Sequence, residues 1–140
     1  MKILILQGPN LNLLGLKSSK NKKILTLSKL NKTIKHHFKD IDIVFKIFQT
    51  HKEFQAINIL QRNRNWASGI LVIPTSWARY NYTILETINL INKPTSLVYF
   101  NEPYSFSSSK NNTILNGENI KSFSGEPIEA CIEGIKELIK

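Results

Sequence analysis

Residues 3–15 read ILILQGPNLNLLG. Four aliphatic residues, Ile3 to Leu6, run into Gln7 and then into Gly8-Pro9-Asn10. A short continuous apolar run is the pattern of a strand buried on both faces of a parallel sheet. Gly8 permits a tight turn and Pro9 fixes φ, so the strand ends there in a polar loop. Asn10 and Asn12 each offer donors and acceptors to that loop. The spacing is neither G-x-G-x-x-G nor a P-loop, so a dinucleotide or nucleoside triphosphate site is not indicated.

Similar runs recur at 41–48 (IDIVFKIF), 70–73 (ILVI) and 96–100 (SLVYF), and a fifth short strand is expected at 120–123. Between them, helical spacing recurs. Leu27, Leu30, Ile34 and Phe38 make one face. Phe54, Ile57 and Leu60, with Ile59 beside them, make a second. Ile84, Leu85, Ile88 and Ile91 make a third. Ile128, Ile132, Ile135 and Ile139 make a fourth, with Glu129, Glu133 and Glu137 outside. The alternation predicts a parallel sheet with helices on both faces, and a ligand rim at the carboxyl ends of the strands. That rim would comprise 7–23, 48–53, 74–81 and 100–110. No repeat or linker divides the chain, so residues 1–140 read as a single domain.

The chain has 140 residues and a formal charge of +9, with 16 Lys and 3 Arg. Ile, Lys and Asn together exceed a third of it, which suggests the codon bias of an AT-rich genome. A dedicated nucleic-acid binder would favour Arg and interleave aromatics, so nucleic acid is not the expected partner. A single cysteine, Cys131, cannot form an internal bridge and suits a reducing compartment. The apolar stretch after Lys2 is too short for a signal peptide, and no run is long enough to span a membrane. The expected location is cytoplasmic. Cys131 is expected in the core. His36, His37 and His51 are scattered, and no metal site is indicated.

GPNLNLLG after a first strand resembles the opening of the type II 3-dehydroquinate dehydratases, small lyases of the shikimate pathway of aromatic amino-acid biosynthesis. The resemblance extends along almost the whole chain through Gln49-Thr50, Pro74, Pro94, Phe123 and the last helix. It implies a flavodoxin-like three-layer sandwich with a five-stranded parallel sheet. It further implies a homo-oligomer of trimers assembled to a dodecamer, a small anionic substrate, and elimination of water without a cofactor. In that family a lid arginine and tyrosine follow the opening loop, and the tyrosine is the base. An asparagine after the third strand holds a water, and Glu-x-His on the fourth strand supplies the acid.

At these positions the sequence departs. The lid carries Lys17 and Lys22, and no tyrosine precedes Tyr80. Ile73-Pro74 replaces Asn-Pro. Ala78-Arg79-Tyr80-Asn81 replaces Thr-His-Thr-Ser. Glu86 stands for an aspartate. Leu97-Val98-Tyr99-Phe100-Asn101 replaces Glu-x-His-x-Ser, and Lys110 stands for an arginine. Of the chemical positions only Asn10 keeps its type. Asn12, Lys17, Lys22, Arg79, Glu86, Tyr99, Asn101 and Lys110 are the remaining candidates to line a pocket. Arg79 reads either as an anion-binding group or as a surface charge. Trp77 and Tyr80 read equally as pocket lining or as cover at a subunit contact. The expectation is a dehydratase relative of impaired activity, or an inactive homologue that keeps fold and assembly. A basic protein that binds anions or nucleic acid is the further alternative.

Overall fold

The computed structural model describes residues 1–19 and 24–140. Five strands, β1 (Lys2–Gln7), β2 (Val44–Gln49), β3 (Gly69–Ile73), β4 (Thr95–Phe100) and β5 (Ile120–Gly125), form one parallel sheet in the order β2-β1-β3-β4-β5. The helices are α1 (Leu14–Lys17), α2 (Leu27–His37), α3 (Glu53–Arg62), α4 (Trp77–Tyr80), α5 (Tyr82–Ile91) and α6 (Pro127–Leu138). The strand order reverses at β1, so α2 and α6 cover one face while α3 and α5 cover the other.

The alternation of side chains along β1 explains the two cores. Ile3 and Ile5 point into the first, with Leu30 and Ile34 of α2 and Ile135 of α6. Leu4 and Leu6 point into the second, with Leu60 of α3 and Ile84 of α5. All four strand side chains are fully buried. Each contributes roughly 1.5–3 kcal/mol by removal from water.

Local signals fix the helix starts. The Thr26 hydroxyl accepts from the Lys29 amide (3.1 Å) at the head of α2. The Asn81 side-chain oxygen accepts from the Ile84 amide (3.0 Å) at the head of α5, and Pro127 opens α6.

Three expectations from the sequence need correction. The run 41–48 is not a doubly buried strand: β2 begins at Val44 and lies at the sheet edge. Phe45 and Ile47 pack on the first core, but Val44 and Phe48 are exposed. Between those two, Lys46 extends its ammonium 4.3 Å from the Trp66 ring centre and donates to Asn63 (3.2 Å).

The inner face of α6 is not its isoleucine row. Ala130, Cys131, Gly134, Ile135 and Leu138 are buried, while Ile128, Ile132 and Ile139 flank them half-exposed. The reason is proximity. A Cβ on Gly134 would lie 3.1 Å from Leu71 and 3.3 Å from both Ser96 and Val98, and the Ser96 hydroxyl donates to the Gly134 carbonyl (2.8 Å). Finally, Phe54 in the first turn of α3 is exposed, and Ala56 and Leu60 face the core instead. Cys131 is fully buried, and burial pushes its thiol up to about 12, which makes it an inert core side chain.

Candidate active-site rim

Two strand exits are fastened to each other. The Gly8 amide donates to the Ile73 carbonyl (2.8 Å), and the Thr75 hydroxyl donates to the Pro9 carbonyl (2.9 Å). Thr75 takes a φ of +49°, an uncommon conformation for a β-branched residue, and that hydrogen bond helps to hold it there. The Thr50 amide donates to the Gln7 carbonyl (3.0 Å), and the Gln49 side chain donates to the Gly8 carbonyl (3.1 Å). The ends of β1, β2 and β3 are thus one hydrogen-bonded unit. The end of β4 joins β5 through the Asn101 amide and the Gly125 carbonyl (2.9 Å).

On this frame Asn10 adopts a left-handed conformation (φ +68°) with an exposed side chain, as asparagine tolerates better than most residues. Its carbonyl accepts from the Leu13 amide (2.8 Å), which closes the 3-10 turn that carries the exposed Asn12. Lys17 ends α1 and is exposed, as is Arg79 on α4. Lys22 falls outside the described residues. Asn101 and Lys110 are exposed in the segment after β4. Glu86 lies apart from the strand ends on the outer side of α5, in a shallow depression with Tyr82, Leu85, Asn89 and Leu90.

Tyr99 differs from the rest. It is 3 % exposed, and its side chain enters the second core. Its hydroxyl donates to Thr113 (2.8 Å), whose own hydroxyl donates to the Ala78 carbonyl (3.2 Å). The chain Tyr99–Thr113–Ala78 ties the segment after β4 to α4. Burial raises the Tyr99 pKa above its ordinary 10, and the Thr113 hydrogen bond only partly opposes that. That environment makes Tyr99 a weaker acid than a free phenol and a poor stand-in for the histidine that the resemblance places there. A cleft of about 10 Å³, space for about one water, lies among Ile73, Thr75, Val98, Tyr99, Phe100, Phe106 and Ser108.

Trp77 is also settled: at 1 % exposure it is a core residue of the second cluster, while Tyr80 is 58 % exposed. Three rim residues were not among the candidates from the sequence. Gln7 is fully buried, donates to Asn31 of α2 (2.7 Å), and leaves its side-chain oxygen without a partner. Asn81 caps α5 but leaves its buried amide nitrogen unpaired. Thr75 holds the β1 and β3 exits together. A glutamine closing an aliphatic run was a visible signal for the first, and an asparagine three residues before Ile84 for the second. Nothing local marked Thr75. Among the described residues no cluster of three or more His, Cys, Asp or Glu side chains is placed to hold a metal ion.

An open parallel sheet in this order, with its polar turns gathered at one rim, defines a flavodoxin-like α/β protein. The family model described as dehydroquinase class II matches residues 1–138, and the chain belongs to that family. It resembles the 3-dehydroquinate dehydratase of Clostridium botulinum, with 32 % identity over 102 residues that cover 73 % of this chain and 69 % of that protein. The 3-dehydroquinate dehydratase of Endomicrobium trichonymphae is 24 % identical over 138 residues, covering 99 % and 96 %. The crystal structure of the type II dehydroquinase from Butyrivibrio crossotus superposes with a TM-score of 0.80 at 23 % identity, covering 100 % of this chain and 98 % of that one. Among the described residues no helix is long and apolar enough to cross a membrane.

Proposed function

We propose that this chain is a dehydroquinase-family protein whose dehydration of 3-dehydroquinate is severely impaired or lost, while fold and assembly are kept. The observation that carries the proposal is Tyr99. It occupies the β4 position where the resemblance puts the acid histidine, yet its hydroxyl is buried and committed to Thr113. At the base position no tyrosine follows the opening loop. General acid and general base are each worth roughly 10²–10⁴ in rate, and they act as a unit. Asn10 alone, exposed on its turn, supplies neither. Arg79 and Lys17 leave the rim cationic, so a small carboxylate remains the expected ligand, and no cofactor is called for.

The test is formation of dehydroshikimate, followed by its absorbance with purified protein. The expected rate is below ~10⁻³ of a typical family member. A faster rate that vanished in Asn10→Ala would overturn the proposal.

The assembly belongs to the same reading. Tyr82 and Leu90, 67 % and 78 % exposed, line the depression that holds Glu86 on α5, and Tyr80, 58 % exposed, ends α4 just before that helix. Large exposed side chains grouped in this way suit a subunit contact. A homo-oligomer built on trimers, in a cytoplasmic setting, is the state proposed. Light scattering is expected to return a multiple of three 16.1 kDa chains. A monomer at micromolar concentration would reject the assembly without touching the catalytic reading.

A further inference from the structure

The positive charge of this protein is not spread over it. Residues 1–39 hold nine lysines and no acid, whereas residues 40–140 hold seven lysines and three arginines against ten acids and are neutral. A codon bias toward lysine would act along the whole chain and does not explain that partition.

The fold then aligns part of the charge. On α2, Leu30 and Ile34 face the core, and Lys29, Lys32 and His36 follow at spacings of three and four on the opposite side; Lys39 stands two residues past the helix end. At 100° per residue the three helical positions fall within about 60° of one another, on the outward line of the helix. All four are exposed, and so is Lys35 beside them. Seven residue steps from Lys29 to His36 at about 1.5 Å rise make the helical part of the row roughly 10 Å long. No ion pair engages it: among the described residues the ion pairs are Lys121–Glu137 and Lys140–Glu137, both on the far side of the charge partition. The row also carries no structural load, since the core contacts of α2 come from its other face.

We propose that the outer face of α2 is a docking surface for the phosphate backbone of duplex nucleic acid, bound without regard to sequence. A straight row of cations suits a strand whose phosphates follow one another at about 3.4 Å of axial rise. The lack of arginine and of aromatic side chains argues against reading bases or stacking on unpaired ones, but it does not bear on backbone contact. An anionic membrane is the poorer fit. The outward line of α2 has no aliphatic residue to enter an acyl layer, and the exposed Leu13, Leu16 and Ile24 lie before the helix begins. This inference is independent of the dehydratase reading, because its test contains no dehydroquinate.

The test is fluorescence anisotropy of a labelled 20-base-pair duplex across a salt series, with two unrelated sequences. Lys29, Lys32, Lys35 and Lys39 together predict a slope of log affinity against log salt of about −3 to −4, the same for both sequences. Lys29→Gln/Lys32→Gln/Lys39→Gln, all exposed and therefore expected to fold, should reduce the slope by about 3 and weaken binding at least tenfold at 50 mM salt. Lys136→Gln on the acidic α6 should leave binding unchanged. Absence of duplex binding at 50 mM salt would overturn the proposal. So would an unaltered slope in the triple variant, or capture by phosphatidylserine vesicles but not by duplex.

Discussion

Gly8→Ala is expected to lower the unfolding free energy by about 3 kcal/mol, a large effect for one methyl group. The new Cβ would lie 2.5 Å from the Pro74 carbonyl oxygen and 2.9 Å from both the Pro74 carbonyl carbon and the Thr75 hydroxyl. Two of those atoms are backbone and cannot rotate away. The hydroxyl is held by its bond to the Pro9 carbonyl, and the Gly8 amide is held by Ile73. Relief therefore requires the exits of β1 and β3 to separate, which breaks both hydrogen bonds. Urea denaturation should show a markedly lower midpoint with a similar slope. A midpoint equal to that of the parent would mean that the two turns are not fastened as described.

Trp77→Ala should cost roughly 3–5 kcal/mol, as expected for a fully enclosed aromatic side chain. Trp77 packs in the second core with Leu4, Leu6, Leu60 and Val72. Its ring also seats α4, whose main-chain bonds run from the Trp77 amide to the Pro74 carbonyl (3.2 Å) and from the Asn81 amide to the Trp77 carbonyl (2.9 Å). Those bonds remain open to alanine, but without the ring α4 loses its anchor in the core, and the placement of Arg79 on it would loosen as well. A thermal melt should fall by about 10 °C. Trp77→Phe, which keeps most of the ring, should fall by much less. A melt of the alanine variant within a degree of the parent would return Trp77 to the surface role that the sequence left open.

The sheet was legible because aliphatic runs such as 3–6 and 70–73 are needed wherever both faces of a strand are covered. β2 shows the limit of that signal. Its run looks the same, but whether a strand has one neighbour or two depends on strand order, which no short window contains. On α6 the isoleucines promised a face, yet at Gly134 the helix comes so close to β3 and β4 that even a Cβ would crowd Leu71, Ser96 and Val98, and the buried side runs through Ala130 and Cys131 with Ile135 and Leu138. Close approach selects small side chains, and small side chains leave little trace in a hydrophobic period.

The rim was legible as a place and less so as a geometry. Asn10 stood out within its turn. Thr75 did not, because its role is a hydrogen bond to a carbonyl 66 positions away. Tyr99 could be placed on β4 from the sequence, but its partner Thr113 lies beyond an irregular loop. Whether its hydroxyl was available or committed could only be decided once that loop had been brought back over α4.

Lys46 has a consequence for the protein in a crowded solution. Beyond β2 no further strand is paired among the described residues, so its outer edge presents a line of free amides and carbonyls from alternate residues, with Val44 and Phe48 open on one side. The same edge of another copy, arriving with Lys46 opposite Lys46, could join the two sheets into one. The two ammonium groups that now rest against their own Trp66 rings would then stand side by side as like charges. A single lysine at the centre of the edge thereby guards the folded chain against becoming its own template.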